Sequence, residues 1–129
     1  GNNAMITSCY LGKKLIDDLD TKHLKVLWDP ANTLYCGENP SKNALDSMEG
    51  GYLGHVHMKD VEVSIHQAKI RCVALGEGQM APHLQKISDR LNEFEYDGAM
   101  SLESVYRPSG GEFEDGFRAS VSAFKTLYS

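Results

Sequence analysis

Residues 52–60, YLGHVHMKD, decide how the chain folds. In an extended strand side chains alternate, so His55 and His57 share one face while Val56 and Met58 share the other. The run is apolar at its start and ionisable at its end. That is the pattern of a strand in a (β/α) barrel or an open α/β sheet, where the carboxyl ends of parallel strands build the site.

Working outward, two more short strands end the same way. Residues 25–28, KVLW, are stopped by Asp29 and Pro30, because proline lacks the amide a ladder requires. Residues 99–104, AMSLES, bring Glu103 to the end of a third strand. Helical spacing separates these strands. Leu11, Leu15 and Leu19 mark a helix over 7–20; residues 40–48 form a short one. Leu84, Ile87, Leu91 and Phe94 mark a helix over 81–94 with Pro82 in its first turn, and Phe113, Phe117, Val121, Phe124 and Tyr128 a closing helix over 112–127. Residues 32–43, NTLYCGENPSKN, read as loop. Residues 61–73 read as a two-stranded excursion or an irregular loop, followed by the glycine turn LGEGQ. Strands alternating with helices imply parallel pairing and right-handed crossovers, in a single domain over 5–129.

Bulk properties narrow the function. The 129 residues suffice for one domain but are about half of the roughly 250 of a complete eight-stranded barrel. Hydrophobic residues make up 41% and charged residues 24%, and no apolar run approaches the roughly 20 residues of a membrane helix, so no membrane partner is expected. A net charge of −5 without a basic cluster argues against nucleic acid. Cys9, Cys36 and Cys72 are odd in number and far apart, which fits small, buried, reduced thiols in a cytoplasmic protein. No secretory signal is visible, and residues 1–4, ahead of Met5, read as a cloning remnant.

Parallel strands set their carboxyl ends side by side, so Asp29, His57 and Glu103 can converge. Two carboxylates and an imidazole form a partial shell for a divalent cation: oxygen donors suit Mn²⁺ or Mg²⁺, and the imidazole admits Zn²⁺, Co²⁺ or Fe²⁺. The same residues also fit plainer roles: Asp29 as a helix cap, His57 as a hydrogen-bonded, partly buried histidine, Glu103 as a solvated carboxylate. His55, one pleat below His57, either orients it from behind or packs inside. Lys59 and Asp60 either touch substrate or form ion pairs at the surface. Arg107 either binds a substrate hydroxyl or phosphate or is solvated. Trp28 packs in the core, and Gly76 and Gly78 serve the turn before a helix.

The ordered motifs WDPAN (28–32), GHVHMKD (54–60), LGEG (75–78), YDGAMSLE (96–103) and YRP (106–108) resemble the C-terminal part of the xylose isomerase-like sugar phosphate isomerase/epimerase family. Tagatose/psicose 3-epimerases, inosose-metabolism enzymes and, more distantly, endonuclease IV belong to it. The resemblance implies a partial TIM barrel, about strands 6 to 8 with their helices, with an open sheet edge. It implies one divalent metal, Mn²⁺ foremost with Zn²⁺, Co²⁺ or Mg²⁺ as alternatives, in a Glu, Asp, His, Glu shell whose last three places fall on Asp29, His57 and Glu103. The first glutamate would precede residue 1. In such enzymes the metal polarises a keto-sugar carbonyl while two glutamates move the neighbouring proton on opposite faces.

Glu103 is then the catalytic acid/base, with Lys59 and Arg107 on the substrate. Half a pair implies a chain that is inactive or weak alone, acting on a sugar or sugar phosphate once a second copy or another chain completes the barrel. The alternative is a non-enzymatic barrel remnant serving as an oligomeric or interaction module. An apurinic endonuclease fits less well: its pattern has Asn at the place of Lys59 and His at that of Leu75.

Overall fold

The computed structural model describes Ile6 and residues 8–128; the residues read as a cloning remnant lie outside them. Helix α1 (Cys9–Leu19) starts where Ser8 Oγ accepts a hydrogen bond from the Leu11 amide and stops at Asp20, which turns left-handed. Its buried residues are Cys9, Gly12 and Ile16, not the expected leucines: Leu15 and Leu19 are exposed. Gly12 explains the rotation. A Cβ there would stand 3.1 Å from Val26 Cγ2, so the bare glycine lets α1 lie close on the first strand.

That strand, β1 (Val26–Trp28), leads directly into α2 (Pro30–Tyr35), a helix in a segment expected to be loop from residue 32. Asp29 caps it and Pro30 takes its first turn, where a missing N–H costs nothing. The Asp-Pro pair that stops the strand thus also starts a helix. Helix α3 (Asn43–Met48) follows, packing Ala44, Leu45 and Met48 inward, and then the central strand β2 (Leu53–Met58).

At Asp60 the chain begins a hairpin, β3 (Asp60–Ser64) and β4 (Lys69–Val73), joined through a 3₁₀ turn; of the two readings open for this segment, the two-stranded excursion is the one that forms. Helix α4 (Ala81–Glu93) buries Leu84, Ile87 and Leu91 as its spacing requires, β5 (Ala99–Leu102) returns to the sheet, and α5 (Phe113–Tyr128) closes the described chain.

Among the described residues the parallel sheet has three strands in the order β1-β2-β5. Leu27 pairs with His55, and His57 with Ser101. One face therefore carries Trp28, Val56, Met58 and Leu102, which join Leu45, Met48, Met80 and Ile87 in the core beneath the helices. Each such side chain contributes roughly 1.5–3 kcal/mol by leaving water. The opposite face carries Leu27, His55, His57 and Ser101. It is only partly covered, and Leu27 is 55% exposed. The result is a partial (β/α) barrel, open and not closed on itself, whose strand ends point to one rim.

Candidate functional site

The rim groups come from the three neighbouring strands of the parallel sheet. Asp29 follows β1, His57 lies near the end of β2 with Lys59 just beyond it, and Glu103 follows β5, its amide held by the Met58 carbonyl at 2.9 Å. The three residues expected to converge do so, around Lys59. Its ammonium lies 2.6 Å from Asp29 Oδ2 and 2.9 Å from Glu103 Oε2, and His57 Nδ1 stands 3.8 Å from the same Glu103 oxygen. The lysine side chain is 12% exposed and that of Asp29 7%, against 39% for Glu103. The inner ion pair is thus screened weakly and the outer carboxylate faces solvent.

Asp29 does two jobs. Its Oδ1 accepts from the Ala31 and Asn32 amides, capping α2, while Oδ2 takes Lys59. Burial pushes this carboxyl above its ordinary range, against the opposing pull of Lys59. Partial burial pushes Glu103 the same way, but there the Lys59 ammonium outweighs it and holds the group below the usual value. Burial would lower Lys59, yet the two carboxylates hold it above its ordinary value and keep it charged.

This arrangement corrects the expected cofactor. A divalent ion shared by Asp29, His57 and Glu103 would need its own oxygen contacts at about 2.0–2.6 Å. The point between the two carboxylates is instead taken by Lys59 Nζ, and a second cation beside it would be repelled. Among the described residues no group of three or more His, Cys, Asp or Glu side chains is placed to hold a metal. The Mn²⁺ reading, with its Zn²⁺, Co²⁺ and Mg²⁺ alternatives, does not fit these residues, and an organic cation built into the chain supplies the positive charge.

His55 shares a hydrogen bond with Ser101 Oγ at 2.9 Å, and its ring meets that of His57 edge-on, with centroids 5.0 Å apart. Arg107 is not brought to the cluster. Its guanidinium bonds the Gly111 carbonyl and Glu112 and lies over the Phe113 ring. Trp28 is buried and donates through Nε1 to Thr33 Oγ1. The three cysteines are free thiols, Cys9 buried but Cys36 exposed where a buried side chain was expected.

Asp60, read as a surface or substrate group, is instead 1% exposed and accepts hydrogen bonds from the backbone amides of Val61, Gly76, Gly78 and Met80. One carboxylate thereby ties the start of β3 to the glycine turn ahead of α4. Gly78 is required because a Cβ would run into Asp60 Oδ1 and the Val61 carbonyl, and Gly76 turns with φ 92°.

The cluster opens on a cleft of about 640 Å³ that runs along the β1 edge of the sheet. His57, Lys59 and Glu103 line its polar end; Leu15, Leu24 and Leu27 line the rest, with Ser8 and Lys25 among them. A site at the carboxyl ends of parallel strands, offering an ammonium, an imidazole and an ionised carboxylate, can bond hydroxyl and carbonyl oxygens and accept a proton.

No curated protein sequence matches the chain. The sequence pattern described as the xylose isomerase-like TIM barrel does, over residues 4–127, with the parallel strands and the rim of polar strand ends that such a barrel requires. The chain belongs to the xylose isomerase-like TIM-barrel family.

Proposed function

We propose that these three strands correspond to the last three of a sugar isomerase/epimerase barrel and that the Lys59 cluster binds the hydroxyl-rich part of a sugar or sugar phosphate. Epimerisation by this chain alone is weak or absent. The observation that carries the reading is the convergence of Asp29, His57, Lys59 and Glu103 on one end of the cleft.

Lys59 and His57 offer donors, Glu103 an acceptor, and all three line the cleft. Epimerisation needs proton transfer on two faces of the carbon. Glu103 can serve one face, while Asp29 is occupied by Lys59 and by the α2 amides. The test is saturation-transfer NMR with D-fructose and D-tagatose. Transfer that is lost in Glu103→Gln supports the reading; no transfer from the wild-type protein sinks it.

A second reading, an interaction module, rests on a different observation. The β1 edge has no strand beside it among the described residues, and Leu27, exposed on the sheet face, lines the cleft with Leu15 and Leu24. A second copy or another chain covering this edge would show as a mass above that of one chain in light scattering. A monomer at all concentrations contradicts self-association.

A further inference from the structure

The ammonium of Lys59 has three N–H donors. One goes to Asp29 Oδ2 and one to Glu103 Oε2; among the described residues the third has no protein acceptor, and the side chain lines the cleft. Glu103 meets both Lys59 and His57 through Oε2, and the partly exposed carboxylate lines the cleft. A charged donor with a spare N–H and a partly exposed carboxylate thus lie next to each other at this end of the cleft. An enolisation site needs that pair: a positive charge on the carbonyl oxygen and a base at the adjacent carbon.

We propose that Lys59, in the place where a bound ion was expected, polarises the carbonyl of a hydroxyketone while Glu103 removes the proton from the neighbouring carbon, giving metal-independent enolisation. The inference rests on the sugar-binding reading above and adds the chemistry.

The step balances within the site. Glu103 takes the proton, and the C–H electron pair forms the carbon–carbon double bond. The carbonyl π pair moves to oxygen, giving an enolate held by the third Lys59 N–H. The protonated Glu103 exchanges with water and returns a proton to the carbon, with no oxidant, reductant or co-reactant. Because a single base acts from a single face, the proton returns to the side it left. The chain should wash the carbon-bound proton into solvent while keeping its configuration.

The experiment is proton exchange into D-fructose in deuterated buffer containing a chelator, followed by NMR at the carbons flanking the carbonyl, with saturation transfer recorded on the same samples. Exchange at least tenfold above buffer is expected. It should fall to background in Glu103→Gln, fall at least tenfold in Lys59→Gln and be partly restored in Lys59→Arg, a rescue that a purely structural lysine would not give. The chelated wild-type protein needs no substitution and so cannot fail through misfolding. Exchange seen only after Mn²⁺ is added, or undiminished in a folded Lys59→Gln, overturns the inference. Fructose bound without exchange overturns it while leaving the binding reading intact. Absence of binding ends both.

Discussion

Lys59 Nζ lies 2.6 Å from Asp29 Oδ2, and this contact joins the end of the first strand to the end of the second. Both side chains are largely withdrawn from water, so the pair is worth more than an exposed one, and removing one partner strands the other. Lys59→Met is expected to lower unfolding stability by about 2–3 kcal/mol in urea titration, below the largest values because Glu103 is partly exposed. A change within about 0.5 kcal/mol would show that the pair contributes nothing.

Asp60→Ala removes the acceptor shared by Val61, Gly76, Gly78 and Met80 and leaves their amides unpaired around a small void. A loss of about 3 kcal/mol or more is expected. Hydrogen exchange localises it: the Gly76, Gly78 and Met80 amides should accelerate far more than those inside α4. Uniform acceleration would mean that Asp60 does not specifically hold this turn.

In an exposed helix Gly→Ala gains about 1 kcal/mol. Gly116 should behave in the opposite sense, because a Cβ at this buried position would overlap the Tyr106 carbonyl. Overpacking of this kind costs about 1–3 kcal/mol and would lift the start of α5 from the loop. A Gly116→Ala variant more stable than wild type in urea would contradict the packing described.

His83 sits against Ser41 Oγ at 2.8 Å, and burial, helped by the Lys86 charge, holds its pKa below the ordinary 6.5. The unfolded chain therefore protonates first as pH falls. The stability associated with neutral His83 is complete above about 6.5 and is lost as pH drops toward the folded value. Thermal midpoints measured from pH 7.5 to 5.5 should decline, and less steeply in His83→Asn. Equal slopes would remove His83 from the effect.

The sheet was legible in the sequence because period-two alternation in a short strand has one reading: His55 and His57 on one face, Val56 and Met58 on the other. The convergence of Asp29, His57 and Glu103 followed from parallel strands ending together. What could not be read was the path of Lys59, since a lysine after a strand can leave for solvent or fold back between carboxylates with no local signal for either.

Helix α2, only six residues long, is too short to show a period, although Asp29-Pro30 carried a cap and a first-turn proline. The leucine spacing in α1 misplaced its buried face because close approach at Gly12 mattered more than the leucines. Asp60 had its partners in Gly76 and Gly78, too far along the chain for spacing to reveal.

The most direct test is a crystal structure of the protein soaked in Mn²⁺, with anomalous data collected at the manganese edge. Lys59 Nζ is expected within hydrogen-bonding distance of both Asp29 and Glu103, with no anomalous peak between them. A peak ligated by Asp29, His57 and Glu103, with Lys59 swung out into the cleft, would contradict the assignment of the site's positive charge to Lys59.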